Sequence, residues 1–100
     1  MENTATLETL INLACTNLKV DLSELQAKYR GRAIVDKRRL LCHALAIRGF
    51  TVEKIGKALN RDHSSITHLI GTSRDFLGTD LQYRTRFNNL NKFLYGAAPM

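Results

Sequence analysis

The chain has 100 residues, enough for one small domain and too few for most multi-domain enzymes. Hydrophobic residues make up 44% of it and charged residues 24%, a balance typical of a globular protein rather than a disordered one. With only one proline and six glycines, the sequence favours long helices over many short strands.

Most of the excess positive charge lies in one short segment. The formal net charge is +6. Asp36 is the only acidic residue between positions 28 and 39, whereas the basic residues there are Lys28, Arg30, Arg32, Lys37, Arg38 and Arg39. A concentrated basic segment on an otherwise nearly neutral domain indicates a polyanionic partner. A solvated basic face is the alternative.

The sequence predicts a cytoplasmic protein without metal or cofactor. No apolar run approaches the ~18 residues that span a bilayer, and the first residues lack the pattern of a secretory signal. Cys15 and Cys42 lie in apolar helical patterns and are predicted to be buried free thiols. His63 and His68 are five residues apart and so do not share the helix face that a zinc site would need.

The spacing of apolar residues predicts three helices in the first half of the chain. A stripe at helical spacing predicts the first over about 6–17. Asp21 and Glu24 form a capping-box pattern at the start of a short second helix. The third is predicted from Ile34 or Val35 to Arg48, with Ile47 among its apolar positions.

The start of this third helix carries an electrostatic cost in the predicted arrangement. Lys37–Arg39 would crowd its first turn, where the helix dipole disfavours cations by a few tenths of a kcal/mol each. An anion bound there would offset that cost.

The middle of the chain follows the plan of a helix-turn-helix. Thr51 can cap a helix over 52–59, Asn60–Arg61 forms a short turn, and Asp62 can cap a second helix that Gly78 ends. A short helix, a tight turn and a second helix with a polar first turn are typical of a DNA-binding helix-turn-helix.

A last helix is predicted over about 80–95. Tyr83, Phe87, Leu90 and Leu94 lie on one face of it. This face is too apolar to remain in water, so it either covers the core of its own domain or pairs with the same helix of a second chain, which would make a homodimer.

The residue pattern does not favour an enzyme. Catalysis needs a converging acid, base or nucleophile. The sequence has no His-Glu-x-x-His, no phosphate-binding glycine loop and no Gly-x-Ser-x-Gly. His63 and Ser64 are neighbours in sequence, but adjacency alone does not make a catalytic dyad.

The first turn of the second helix suits a reader of DNA bases. Asp62 can accept a hydrogen bond from a base amino group, and His63 can donate one or contact a thymine methyl. Ser64 and Ser65 can bond phosphates or bases, and Arg61 suits a guanine or a phosphate. The alternative is that Asp62 only caps the helix and its neighbours are solvated.

The run Ile55–Ile66, IGKALNRDHSSI, resembles the signature of the DNA-binding domain of DnaA, the bacterial replication initiator. Upstream, the resemblance continues through that family's basic loop and the start of its long helix, at Lys28–Arg32, Ile34, Lys37 and Arg38. It covers about Val20–Ile70.

The resemblance implies an all-α helix-turn-helix domain of five to six helices, related to the Trp-repressor group, that binds short sites called DnaA boxes. By similarity, Arg30 enters the minor groove and Arg38 contacts DNA from the start of the long helix. Asp62–Ser65 match the major-groove readers, and Arg61 matches the motif's arginine. The DnaA-like core would span about 20–77, followed by an extra C-terminal helix.

Some positions depart from the family. Arg39 stands where glutamine is common, Ser64 and Ser65 replace threonines, and Leu69 replaces a small residue. These differences bear on the target sequence more than on DNA binding. Without a phosphate-binding loop, the chain is expected to act as a stand-alone regulator or replication accessory protein, in a bacterial nucleoid or encoded by a phage or mobile element.

The predicted partner is therefore double-stranded DNA. Its predicted contacts are Lys28, Arg30, Arg32, Lys37, Arg38, Arg39, Arg61, Asp62, His63, Ser64 and Ser65. Contacts from the five arginines and lysines between Arg30 and Arg39 would displace about four or five counterions and give a log–log salt slope of roughly −4. The alternative is a protein-interaction module that keeps the fold and binds through Tyr83, Phe87 and Leu94.

Overall fold

A computed structural model describes residues 3–28 and 31–96, with side chains from Leu7 onward. These residues form six α-helices and no strand, so the all-α prediction is confirmed. None of the helices in the described ranges combines the length and the apolar character needed to cross a membrane. The helices are α1 Asn3–Leu18, α2 Leu22–Gln26, α3 Arg32–Arg48, α4 Val52–Leu59, α5 His63–Thr79 and α6 Leu81–Tyr95.

Helix α3 is the centre of the domain and packs against each of the other five helices. Its middle is completely buried at Leu40, Leu41, Ala44 and Leu45. The prediction that Ile47 also faces inward was wrong, because its side chain is 56% exposed. Position 47 lies about 200° around the helix from position 45, on the solvent side.

The start of α3 also differs from the prediction. The helix begins at Arg32, two or three residues earlier than the apolar pattern indicated, because the periodicity of buried residues does not report a polar first turn. Lys37–Arg39 therefore lie beyond the first turn, where the helix dipole has little effect. The electrostatic argument for an anion at this helix start does not hold.

The two N-terminal helices, α1 and α2, both pack against α3. Helix α1 is longer at both ends than the predicted 6–17. The backbone N–H of Asp21 donates to Oε1 of Glu24 at 3.0 Å, which is the reciprocal half of the predicted capping box. Both cysteines are free, as predicted, but only Cys42 is buried, whereas Cys15 is partly exposed.

A close backbone approach fixes the helix-turn-helix. Gly56 stands in the middle of α4, where glycine costs about 1 kcal/mol relative to alanine. A Cβ atom at this position would lie 2.5 Å from the carbonyl oxygen of Arg61. The turn closes through Asn60 in the left-handed region and a 2.8 Å bond from the Arg61 N–H to the Gly56 carbonyl.

Helix α6 covers the core of its own domain. Tyr83, Phe87, Leu90 and Leu94 are all buried, and α6 packs against α1, α3 and α5. The self-packing prediction is confirmed, and the alternative of a protein-binding surface through Tyr83, Phe87 and Leu94 was wrong. The same burial leaves this face unavailable for pairing with a second chain.

The end of α5 was also placed too early. The helix continues through Gly78 to Thr79, and Asp80 then caps α6 by accepting from the Tyr83 N–H at 3.1 Å.

Candidate nucleic-acid interface

An open groove lies between the end of α2 and the beginning of α5. It brings together residues that are more than thirty positions apart in the sequence. Its lining is Lys28, Arg38, Asn60, Arg61, Asp62, Ser64, Ser65, His68 and Leu69. Six of the predicted DNA contacts therefore border one surface, and that surface is polar and rich in cations.

The exposed first turn of α5 forms one wall of the groove. Oδ1 of Asp62 accepts from the backbone N–H of Ser65 at 2.9 Å and from the Ser64 hydroxyl at 3.1 Å. The predicted helix cap is confirmed. Hydrogen bonds from Ser65 and then Ser64 hold the pKa of the Asp62 carboxyl below its usual value. The carboxylate is therefore charged at neutral pH while it remains open to solvent.

His63, Ser64 and Ser65 are exposed in the same turn. Packing does not account for their polar side chains, because the fold buries none of them. His68 joins them from one turn further along and was not among the predicted contacts. It lies four residues after Ser64, so helical spacing places the two side chains on one face, which is the signal that could have revealed it.

Arg38 was predicted to contact DNA, but its guanidinium bonds to backbone carbonyls of the protein. Its side chain is only 4% exposed. Nε donates to the Leu25 carbonyl at 3.0 Å, and Nη2 lies 3.2 Å from the Ala27 carbonyl and 3.4 Å from that of Glu24. Desolvation, and then the neighbouring charge of Arg61, lower the pKa of this guanidinium.

Arg61 is turned toward the same carbonyls. Its Nη1 donates to the Gln26 carbonyl at 3.2 Å and to its own neighbour Asn60 at 3.0 Å, and its Nη2 bonds the Ala27 carbonyl. The side chain is half-buried. The structure thus places this arginine at the groove, but with its donors directed into the protein.

Lys37 and Arg39 lie away from the groove. Nζ of Lys37 is 3.4 Å from the Lys19 carbonyl at the end of α1. Arg39 bonds Asp36 at 2.6 Å and the Thr72 hydroxyl at 3.0 Å. Thr72 is nine residues beyond His63, or about 13 Å along α5.

Arg39 has a further contact on this distant part of α5, since its guanidinium stacks over the Phe76 ring at 4.9 Å. An arginine in this position serves the packing of α3 on α5.

The basic segment before α3 is described only in part. Lys28 is exposed and borders the groove, and Arg32 is exposed at the first position of α3. Arg30, predicted to enter the minor groove, lies outside the described residues. In the parts of the chain that are described, no three His, Cys, Asp or Glu side chains are grouped so as to hold a metal ion.

Comparison with known proteins agrees with the resemblance in the sequence. No family model matches the chain. It is 28% identical over 91 residues to the chromosomal replication initiator protein DnaA of Bacteroides fragilis (strain YCH46). The match covers 89% of this chain, more than the Val20–Ile70 resemblance, and the chain spans about a fifth (19%) of that relative's length. The similarity points to a domain related to DnaA.

Proposed function

We propose that this chain binds double-stranded DNA sequence-specifically through its helix-turn-helix. The observation that carries the proposal is the exposed polar first turn of α5, Asp62–Ser65, beside a cationic groove. A helix N-terminus with short donors and acceptors fits the major groove, where base edges differ in their donor and acceptor pattern. The fold itself needs only the Asp62 cap from this turn.

In this proposal, His63 and Asp62 contact base edges, and Ser64 and Ser65 contact bases or the adjacent phosphates. The dipole and free N–H groups at the start of α5 favour a nearby phosphate. His68 extends the contact by one turn. Leu69 supplies an apolar surface that suits a thymine methyl group.

The phosphate contacts come from fewer cations than the sequence suggested. Arg38 and Arg39 bond to protein groups, and Nζ of Lys37 is directed to the Lys19 carbonyl after α1. The exposed Lys28 and Arg32 remain as phosphate contacts, together with Arg30 as predicted from the sequence. About three displaced counterions give a log–log salt slope of roughly −3 instead of −4.

The similarity to DnaA supports a target related to the DnaA box and a role as a regulator or replication accessory protein. The chain would recognise the duplex without hydrolysing ATP. Its action would then be to occupy or mark sites, since recognition alone supplies no energy for melting DNA.

The proposal is tested by selecting bound duplexes from a random pool and measuring affinity for the selected site and for a scrambled duplex at several salt concentrations. We expect enrichment of one short site and a slope near −3 on both duplexes, because phosphate contacts are shared by all sequences. No enrichment, or a slope near zero, would contradict the proposal.

A further inference from the structure

Two arginines from different parts of the fold meet at the carbonyl end of α2. Arg38 comes from the middle of α3, and Arg61 comes from the turn before α5. Both guanidinium groups donate to the carbonyl of Ala27. Arg38 also bonds the Leu25 carbonyl, and Arg61 the Gln26 carbonyl. We refer to Arg38 and Arg61 on these carbonyls as the arginine clasp.

The clasp supplies hydrogen-bond donors to carbonyls that have no partner within the short helix α2. The last four carbonyls of a helix have no partner within it, and α2 has only five residues. Guanidinium groups supply several donors in a rigid planar fork, which suits adjacent carbonyls. Bringing two positive charges to one carbonyl is unfavourable, so the bonds that each arginine makes to other carbonyls must offset the repulsion.

Further bonds join the same end of α2 to the turn of the helix-turn-helix. Nε2 of Gln26 donates to the Ala58 carbonyl at 2.9 Å, and Nδ2 of Asn60 lies 3.4 Å from the Gln26 carbonyl. The clasp and these bonds surround the last residues before Lys28. The backbone just before Lys28 is therefore bonded directly to the turn that precedes the first turn of α5.

We propose that Arg61 is a positioning residue that holds the end of α2, so that Lys28 keeps a set place relative to the first turn of α5. The role in DNA binding rests on the proposed function, whereas the clasp itself belongs to the free protein. A duplex has a set distance between its grooves and phosphates. Lys28 and the first turn of α5, held at a fixed separation by the clasp, can bind the duplex together without a further loss of conformational freedom.

The first experiment tests the clasp without DNA. Trypsin cleaves after lysine and arginine, so native-state cleavage after Lys28 reports opening of the end of α2. We expect Arg61→Met and Arg61→Lys both to raise the cleavage rate about tenfold, the effect of losing about 1.5 kcal/mol of charged hydrogen bonding. Arg61→Lys does not restore the wild-type cleavage rate, because a single ammonium group cannot bond the Gln26 and Ala27 carbonyls as the planar guanidinium does.

Arg84→Met is the matched control. Its Nε donates to the Leu77 carbonyl at 3.1 Å, so this variant also removes an arginine–carbonyl bond, but near the other end of α5. Urea unfolding of each variant separates local opening from global destabilisation. Cleavage after Lys28 that is unchanged in Arg61→Met, or raised equally in Arg84→Met at equal stability, would overturn the clasp.

The second experiment uses the selected duplex. We expect Lys28→Ala to weaken binding at least about threefold less in the Arg61→Met background than in the wild type, because Lys28, once released from its set place, no longer contributes its contact and the two losses then fail to add. Additive losses, or full rescue of affinity by Arg61→Lys, would make Arg61 a plain phosphate contact and overturn the positioning role. If the wild type binds no duplex, the proposed function fails, and the proteolysis result alone decides the clasp.

Discussion

The two halves of α5 use the same kinds of residue for opposite purposes. In the first half, Ser64 and Ser65 are exposed beside the groove. In the second half, Ser73 is completely buried. Its hydroxyl lies 2.8 Å from Nδ1 of His43 and accepts from the Tyr83 hydroxyl at 2.7 Å. The fold requires the serine of the second half, whereas the serines of the first half remain free for a ligand.

The buried network also defines the state of His43. A neutral imidazole whose Nδ1 accepts the Ser73 proton satisfies both bonds, because the hydroxyl has one proton to donate and already accepts from Tyr83. Burial, and then the charge of Arg74, lower the pKa of His43. The Phe87 ring packs against the imidazole at 4.7 Å between centroids. Three helices are thus joined by polar groups that have no access to a ligand.

The difference between the two halves of α5 is tested most strongly by removing one serine hydroxyl from each half. Ser73→Ala leaves His43 and Tyr83 without their partner, and each unsatisfied buried group costs about 1–3 kcal/mol. We expect the free energy of unfolding in urea to fall by about 3 kcal/mol. Ser65→Ala, the matched control, should change it by less than about 0.5 kcal/mol. Equal losses in the two variants would contradict the division of α5 into two roles.

The preference for the selected DNA site should depend on the first half of α5 and not on the second half. His63→Ala and Asp62→Asn are each expected to narrow the free-energy gap between selected and scrambled duplex by about 2 kcal/mol, because a base contact carries discrimination. Asp75→Asn is the matched control, since Asp75 is an exposed carboxylate in the second half of α5. If both variants keep the full preference, the first turn of α5 is not the reader.

A pH titration probes the buried network without a mutation. Because the folded-state pKa of His43 is lowered, the unfolded chain binds more protons once the pH falls below the ordinary histidine value of about 6.5. The free energy of unfolding should be highest above that value and decline as the pH drops below it. The decline should stay smaller than the Ser73→Ala effect, because protonation breaks one of the two bonds.

This dependence is measured by urea unfolding between pH 7.5 and about pH 5, above the range in which the carboxyl of Asp62 titrates. His43→Gln should flatten the curve. An equally steep decline in that variant would assign the pH dependence to another group.

The smallest effect concerns the helix cap. Asp62→Ala should lower the free energy of unfolding by about 1 kcal/mol, and Asp62→Asn should lower it by much less, because asparagine caps a helix about as well as aspartate. Thermal unfolding of the two variants separates the cap from base recognition. A similar stability loss in both variants would show that the charge of the carboxylate, rather than its acceptor oxygen, stabilises α5.

Local patterns in the sequence predicted the helices and their caps well. Apolar spacing and capping residues together located all six helices, and Asp62 and Thr51 marked the starts of α5 and α4. These features depend on neighbours within one or two turns. The errors fell at helix ends such as Arg32 and Gly78, where no buried residue marks the boundary.

The same patterns could not assign the arginines. Arg38 and Arg39 are adjacent in sequence, but one bonds the carbonyls at the end of α2 and the other bonds Asp36 and Thr72. Guanidinium groups serve carbonyls and carboxylates as well as phosphates. The type of residue and its place in a basic segment are therefore not enough to show which partner it takes.

The sequence by itself thus determined the all-α fold, the helix-turn-helix and the polar first turn of α5, because periodicity and capping are short-range effects. Tertiary structure alone decided which cations face solvent and which hold α2 against the turn. It also decided that Ser73 is buried while Ser64 and Ser65 are exposed. The reason is that burial of a polar side chain depends on which other helix packs over it, and on whether that helix offers a hydrogen-bonding partner.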